Sequence, residues 1–219
     1  MNDTSRMLAE TADPLFAKLG PNAVESDWKQ LEDLGLPLLW APEADGGFGG
    51  SHVDALTVFR LAGYHALGLP LVERIIAPRA EDQSAEGFNL GAFARTAQIA
   101  GALDAALAMS VAYVNERQQF GRPLGKFQAV QQELATFACE AAAAKLRANR
   151  AAGIGARIAH QVHGAIGFTR EYPLRHLTGR LRQWRSDFGG EAHWSAILGD
   201  RVVARGAEAF WPDLVARTD

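Results

Sequence analysis

Two segments of the chain combine residue types that could hold an anion. The first, Asn115-Glu116-Arg117-Gln118-Gln119-Phe120-Gly121-Arg122-Pro123-Leu124, ends one predicted long helix, and Gly125-Lys126-Phe127-Gln128 opens the next. Arg117 carries a planar fork of donors, and Gln128 places an amide near a helix N-terminus with free N–H groups. These groups suit a phosphate or pyrophosphate. The alternative is a tight turn between helices in which Arg117 caps backbone carbonyls.

The second segment is Gln161-Val162-His163-Gly164-Ala165-Ile166-Gly167-Phe168-Thr169. Gly164 and Gly167, three positions apart, would let the backbone approach a ligand closely. No strand is predicted before them, so the segment lacks the context of a dinucleotide-binding fingerprint. His160 and His163 share one helix face, but no carboxylate or cysteine completes a metal set, so we predict no metal site.

The elements that position these segments are predicted to be helices. Arginine supplies 18 residues and proline only 9, strand periodicity is weak, and the pattern favours an all-α fold built on a long-helix bundle with a smaller N-terminal helical region. The polar stretch 81–87 is the best linker candidate, which divides the chain into domains 1–80 and 88–219. Gly153 and Gly155 are expected to interrupt a helix. The predicted long helices cover about residues 5–19, 26–35, 51–64, 88–116, 127–152, 172–184 and 191–210, with short helices after Pro70 and before Gly164. The residues from Ser51 to Asp54 are typical of a capping box that opens the third helix.

Composition excludes several classes of protein. The chain has 219 residues and a net charge of −3, which disfavours a dedicated nucleic-acid binder. A single cysteine leaves no disulfide framework. We see neither a secretory signal nor an uninterrupted apolar run of about 18 residues, and therefore expect a cytoplasmic protein without a membrane span.

Five arginines lie between residues 170 and 185, against a single acidic residue, Glu171. They could form a face for the phosphates of an anionic ligand or for a protein partner. They could equally form a solvated helix face that pairs with Glu171 and Asp187.

Taken together, residues 117–131 and 161–174 resemble the C-terminal helical domain of acyl-CoA dehydrogenases. The first reads Arg-Gln-Gln-Phe-Gly-Arg-Pro-Leu-Gly-Lys-Phe-Gln-Ala-Val-Gln, and the second reads Gln-Val-His-Gly-Ala-Ile-Gly-Phe-Thr-Arg-Glu-Tyr-Pro-Leu. Residues 28–50 resemble the first helical domain of the same family. The resemblance therefore covers nearly the whole chain.

This resemblance implies FAD as the cofactor and an acyl-CoA thioester as the substrate. In the family, the ADP half of FAD lies across a subunit interface, which implies that the 161–167 backbone approaches the ADP of the neighbouring subunit's flavin. The implied contact to a pyrophosphate oxygen is Arg117, and Ala165 departs from the glycine that the family usually has there. The other residues that the resemblance implies for cofactor binding are Phe120, Gln128, Gln161, Gly164 and Gly167.

The family reaction also needs a carboxylate base, because the α-proton must leave as the β-hydride passes to the flavin. By register, the usual glutamate position falls at Gly190, and Glu191 could enter the site if the loop shifts by one residue. The alternative is that Glu191 only favours the positive end of its helix. The family's other base position falls near Gly91, and Asp187 is a third candidate.

The family's middle β-barrel domain is missing from this pattern, since a linker at 81–87 cannot hold one. One hypothesis makes the chain a subunit of an acyl-CoA dehydrogenase-type flavoprotein that a full-length partner completes. A second makes it a non-catalytic scaffold or regulatory subunit. A third makes it a small homodimer that binds FAD or a CoA ester in an open cleft.

Overall fold

The computed structural model describes residues 3–80, 85–142 and 144–205 of the chain. Within them the fold is almost entirely helical, which confirms the predicted all-α class, and the one sheet is a two-stranded hairpin. Short 3₁₀ turns connect several helices. The elements are α1 (Asp3–Leu19), α2 (Trp28–Asp33), α3 (His52–Tyr64), α4 (Leu71–Ala80), α5 (Ala85–Glu116), β1 (Gln118–Gln119), β2 (Arg122–Pro123), α6 (Gln128–Ala142), α7 (Ala144–His163), α8 (Leu174–Trp184) and α9 (Glu191–Arg205).

Two hydrophobic clusters lie within the compact unit Met1–Phe188. The N-terminal cluster contains residues of the four helices α1, α2, α3 and α4 and of the first half of α5. Phe16 and Phe59 are fully buried in it. Helix α3 crosses α5 closely, because an added Cβ at Gly101 would meet the Arg60 carbonyl oxygen at 1.9 Å. Leu90 of α5 belongs to the same cluster as residues of α1 to α4. The predicted division into domains 1–80 and 88–219 stays a prediction.

The capping box predicted at the start of α3 is present. The Ser51 N–H donates to Asp54 Oδ2 over 2.9 Å, and the Asp54 N–H donates to Ser51 Oγ over 3.3 Å. Asp54 is buried and also accepts from Ser5 Oγ over 2.6 Å, which joins α1 to α3. Such reciprocal caps satisfy backbone donors that would otherwise have no partner.

The second cluster packs α5 against α6, α7 and α8. The predicted break at Gly153 and Gly155 is wrong, because α7 runs through both glycines. Gly155 instead lets α7 approach its neighbours, since a Cβ there would lie 2.5 Å from Leu103 and 2.6 Å from Phe137. The packing outweighs the cost of a helical glycine, about 1 kcal/mol.

The positions between α4 and α5 are residues 81–84, which lie outside the described residues. Four positions cannot hold a barrel, which needs several strands of about five residues each. Across the described residues, β1 and β2 form the only sheet, pairing Gln118 with Pro123 and Gln119 with Arg122. The fold class predicted without a β-barrel is therefore confirmed.

The composition of helix α5 bears on the prediction that the chain has no membrane span. Its stretch from Gly87 to Glu116 is long and apolar enough to span a bilayer by length and composition, and 56% of its best window is buried in the protein. The expectation considered only uninterrupted apolar runs, whereas Arg95 and Asp104 interrupt this one. A buried core helix passes the same test.

The second compact unit is Gly189–Asp219, of which residues 206–219 lie outside the described part. It contains α9, whose first turn includes the Trp194 N–H donating to the Gly190 carbonyl over 3.2 Å. Gly189 has a φ of +90°, a conformation that favours glycine. The predicted end of this helix, residue 210, falls outside the described residues.

Candidate functional site

The turn between α5 and α6 is a two-residue hairpin loop with an unusual residue at its tip. Phe120 and Gly121 both have positive φ, +51° and +77°, as a two-residue hairpin turn of type I′ requires. Glycine adopts that conformation freely, whereas a bulky side chain pays a steric cost. Phe120 is also 90% exposed. A strained, exposed aromatic ring at a loop tip points to a contact outside the chain.

The two sequence segments meet at one cavity of about 680 Å³, which we call the first cavity. That volume lies within the range of about 300–1,000 Å³ typical of small-molecule sites. The end of α5, the turn after it, α6 and the end of α7 all contribute. Three of the predicted cofactor residues lie together in its wall: Arg117, Gln161 and Gly164.

Arg117 is held by its backbone at the end of α5. Its N–H donates to the Tyr113 carbonyl over 2.8 Å, and its own carbonyl accepts from the Leu124 N–H over 2.9 Å. No carboxylate among the described residues forms an ion pair with its guanidinium. The cation is therefore free to meet an anion in the first cavity.

Gln161 and Glu133 bring polar groups to the same wall. Arg157 Nη1 donates to Gln161 Oε1 over 3.0 Å and lies 3.8 Å from Glu133 Oε2. That Glu133 oxygen is buried and accepts no hydrogen bond from the described residues. Gly164 ends α7 with a φ of +63°, and nothing lies within 4 Å of the Cβ it lacks. The wall is thus open at the glycine.

His163 was not among the predicted cofactor residues, yet it lines the first cavity. Its ring stacks on Tyr113 at 4.5 Å, and Nδ1 donates to the Ala159 carbonyl over 2.8 Å. In the neutral ring with the proton on Nδ1, Nε2 is an acceptor, and it is buried without a partner among the described residues. Burial lowers the pKa of His163, and the hydrogen bond to Ala159 opposes that shift. A neutral acceptor with no partner is what a ligand donor could satisfy.

The other predicted cofactor residues do not line the first cavity. Gln128 is the exposed first residue of α6, although its neighbour Ala129 does line the wall. Phe120 lies at the hairpin tip, with its ring 6.1 Å from that of Phe127. Gly167 is buried against α7, where a Cβ would come within 3.1 Å of His163 and 3.2 Å of His160. Close packing on α7 accounts for this glycine.

Comparisons with known proteins match part of the chain to a known family. Residues 82–153 match the family described as Acyl-CoA dehydrogenase, C-terminal domain. A probable acyl-CoA dehydrogenase of Bacillus subtilis (strain 168) is 35% identical over 101 residues, which are 35% of this chain and 27% of that protein. The chain is similar to the acyl-CoA dehydrogenases over part of its length. The matched stretches span only 27 or 28% of the length of the first curated relatives.

Two solved structures share the fold of this chain. Butyryl-CoA dehydrogenase from Megasphaera elsdenii superposes with a TM-score of 0.77 at 14% identity, over 93% of this chain and 99% of that chain. A chain of the ChsE4-ChsE5 complex from Mycobacterium tuberculosis superposes with a TM-score of 0.73 at 17% identity, over 94% of this chain and 98% of that chain. At these identities the likeness establishes the fold.

The candidates for the acyl-CoA dehydrogenase base differ in their surroundings. Glu191 is the exposed first residue of α9, where a carboxylate interacts favourably with the helix dipole. Asp187 accepts a hydrogen bond from Arg95 Nε over 2.8 Å and is held in an ion pair. The resemblance implies another base position near Gly91. The ring of Phe188 lies beside this glycine, with Cε1 only 2.3 Å from where a Cβ would stand.

Proposed function

We propose that this chain is a subunit of an acyl-CoA dehydrogenase-type flavoprotein, and that its first cavity holds the ADP part of FAD. The observation that carries the proposal is the convergence of the two sequence segments. Arg117 comes from one segment, and Gln161 and Gly164 come from the other, which the resemblance assigned to the flavin of the neighbouring subunit. An arginine without a carboxylate partner beside an open glycine backbone is a suitable anion site.

The residues of the first cavity fit such a group. The Arg117 guanidinium would hold a pyrophosphate oxygen through charge-assisted hydrogen bonds. The backbone at Gly164 would allow close approach of the ligand, and the buried Nε2 of His163 would accept a hydrogen bond from an amine or hydroxyl. Glu133 carries the opposing charge in this wall and faces Arg157. That neighbour reduces the repulsion that the carboxylate would exert on the ligand.

Bound FAD would supply the hydride acceptor that no amino-acid side chain provides. What this chain would contribute is binding and orientation at the ADP end. Glu191 stays the predicted base for the α-proton of an acyl-CoA thioester. A Glu191→Gln variant of the assembled protein that keeps full dehydrogenase activity would exclude that role.

A partner subunit completes this proposal. The four positions at 81–84 leave no room for the middle domain that the resemblance implies beside the flavin ring. The exposed ring of Phe120 supports a contact outside the chain. The partner would be a full-length acyl-CoA dehydrogenase-like subunit, or a second copy of this chain in a dimer or tetramer.

One observation favours the alternative of a non-catalytic scaffold or regulatory subunit. The ring of Phe188 lies beside Gly91, and Asp187 is bound to Arg95, so neither supplies a free carboxylate there. In that case the catalytic base would come from the partner. The chain would still contribute Arg117 and the α7 turn to the shared site.

The test begins with a tagged chain purified from its native host. We expect a yellow complex with a second, larger chain, identified by light scattering, flavin absorbance and mass spectrometry. Arg117→Ala should lower FAD retention by about tenfold or more, the cost of one charged hydrogen bond. Lys126→Ala is the matched control, because Lys126 is an exposed cation in the same turn and outside the first cavity.

Three outcomes decide between the hypotheses. A colourless complex with a partner, unaffected by Arg117→Ala, would contradict the flavin role and favour the scaffold. A yellow protein that contains only this chain would favour the homodimer. Equal FAD loss in Arg117→Ala and Lys126→Ala would show that general charge, and not the first cavity, retains the cofactor.

A further inference from the structure

A second cavity of about 430 Å³ lies between α7 and α8, and we call it the arginine cavity. Arg157 comes from α7, while Arg182 and Arg185 come from the end of α8 and the residue after it. Gln161 lines both the arginine cavity and the first cavity. Of the five arginines between 170 and 185, only Arg182 and Arg185 line this one, so the predicted basic face is divided.

The charges around the arginine cavity are poorly compensated. Within the part of the chain that the structure describes, neither Arg182 nor Arg185 forms an ion pair with a carboxylate, and Arg157 reaches only Glu133 at 3.8 Å. Arg185 lies on the wall, because a Cβ at Gly153 would come within 3.0 Å of its Nη1. Three cations around one cavity repel each other, and an anion bound between them would remove that cost.

The remaining wall is apolar and aromatic. Ala152 and Ala156 line the cavity from α7, and Phe168 is 62% exposed at its rim. The His160 ring stacks on Phe168 with centroids 4.0 Å apart and planes at 15°, and its Nε2 lies 2.9 Å from Thr178 Oγ1. This stack holds the phenyl ring in place. A planar group could pack on such a surface next to the arginines.

We propose that the arginine cavity binds a nucleotide-type ligand, with a phosphate between Arg157, Arg182 and Arg185 and the base against Phe168. Arginine forks match the geometry of phosphate oxygens, and stacking on an exposed aromatic ring tolerates any base. The site is distinct from the first cavity, with which it shares Gln161. The proposal does not depend on FAD binding at Arg117.

The test uses the full chain, titrated separately with AMP and with inorganic pyrophosphate in a calorimeter at low salt. We expect saturable binding of both probes. Arg185→Ala and Arg182→Ala should each raise both dissociation constants by about tenfold or more. Phe168→Ala should weaken AMP by about tenfold and leave pyrophosphate unchanged, because only AMP carries a base to stack.

Arg175→Ala is the matched control. It removes the same charge from an exposed position on α8 that does not line the arginine cavity, and it should bind both probes as the unaltered chain does. Circular dichroism confirms the fold of each variant. If Arg185→Ala unfolds, Arg185→Gln, which keeps a polar side chain, takes its place in the titrations.

Several results would overturn the proposal. One is the absence of saturable binding, and another is an equal loss in Arg175→Ala and Arg185→Ala, which would mean diffuse attraction to a basic surface. A third is binding that Arg117→Ala abolishes and Arg185→Ala preserves. That last result would place the nucleotide in the first cavity and leave the proposed function standing.

Discussion

The ring of Phe188 occupies the space that any side chain at position 91 would need. An added Cβ at Gly91 would lie 2.3 Å from Phe188 Cε1 and 2.4 Å from Cδ1. Phe188 itself holds a φ of +52°, which is costly for a bulky residue, so the surrounding structure must hold it there. The phenyl ring of Phe188 thus packs the residues that follow α8 against α5.

This contact predicts a coupled pair of substitutions. Gly91→Ala should lower the free energy of unfolding by about 1–3 kcal/mol, the usual cost of overpacking, although alanine is the better helix former. In a Phe188→Ala background the same change should cost much less, giving a coupling energy above about 0.5 kcal/mol. Chemical denaturation of the four proteins measures the cycle.

The control is Gly179→Ala in α8, where nothing lies within 4 Å of the added Cβ. That variant should be neutral or stabilised by up to about 1 kcal/mol. Additive effects of Gly91→Ala and Phe188→Ala would contradict the contact.

Arg95 predicts a large loss of stability on truncation. It is nearly buried, and its guanidinium reaches Glu73 at 2.8 Å, Asp187 at 2.8 Å and Gln98 Oε1 at 2.6 Å. Arg95→Ala should lower the free energy of unfolding by about 3 kcal/mol, because it leaves partly buried carboxylates without their cation. Thermal and urea denaturation measure this loss.

Arg74 is the matched control, because it also pairs with a glutamate but is exposed. Its Nη2 lies 4.0 Å from Glu32 Oε1. Arg74→Ala should cost less than about 1 kcal/mol. Equal losses of stability in Arg95→Ala and Arg74→Ala would contradict the larger contribution expected from the buried ion pairs of Arg95.

The sequence predicted α1, α3, α5 and α8 close to their observed bounds, but it misjudged positions that packing decides, and the helix predicted over 127–152 corresponds to α6 and the first part of α7. The start of α3 followed from Ser51 and Asp54, whose cap is a local interaction. Gly153 and Gly155 looked like helix breakers, yet contacts with Arg185 and Phe137 keep them helical. Such contacts join distant parts of the chain and have no local sequence signal.

The candidate site could be predicted only in part for the same reason. Arg117, Gln161 and Gly164 followed from motif resemblance, and the structure brings them to one cavity. The sequence pattern indicates His163 only as a possible metal ligand, although it lies directly before Gly164. Tyr113 lies one helical turn before Arg117, and only the fold shows that its ring meets His163.

Phe120 predicts a trade between stability and assembly. Asparagine tolerates a positive φ better than phenylalanine, so Phe120→Asn should raise the free energy of unfolding by about 1 kcal/mol. The same variant should weaken association with the partner or FAD, because the exposed ring is lost. Denaturation of the isolated chain and size-exclusion chromatography of the complex measure the two effects.

A variant that changes stability but not assembly would show that Phe120 is only a strained turn residue. Val111→Asn provides the comparison, since Val111 is also exposed on this unit but lies inside α5 at ordinary helical geometry. It should gain no stability.

His163 predicts how stability changes with pH. Its pKa in the folded protein lies below the usual value of 6.5, mainly because of burial. The unfolded chain therefore binds the proton more readily, and stability is complete above about pH 6.5 and falls as the pH drops towards the folded pKa. His160 and His176 are shifted in the same direction, also mainly by burial, so the whole protein should lose stability over this range.

Replacing the imidazole isolates its share of the effect. His163→Phe keeps an aromatic ring that can stack on Tyr113 but cannot take up a proton. The difference in melting temperature between pH 7.5 and 5.5 should be smaller in this variant than in the unaltered chain. His52→Phe is the control, since that histidine also packs against an aromatic ring, that of Trp40, but does not line the first cavity. An unchanged pH dependence in His163→Phe would mean that other groups govern acid sensitivity.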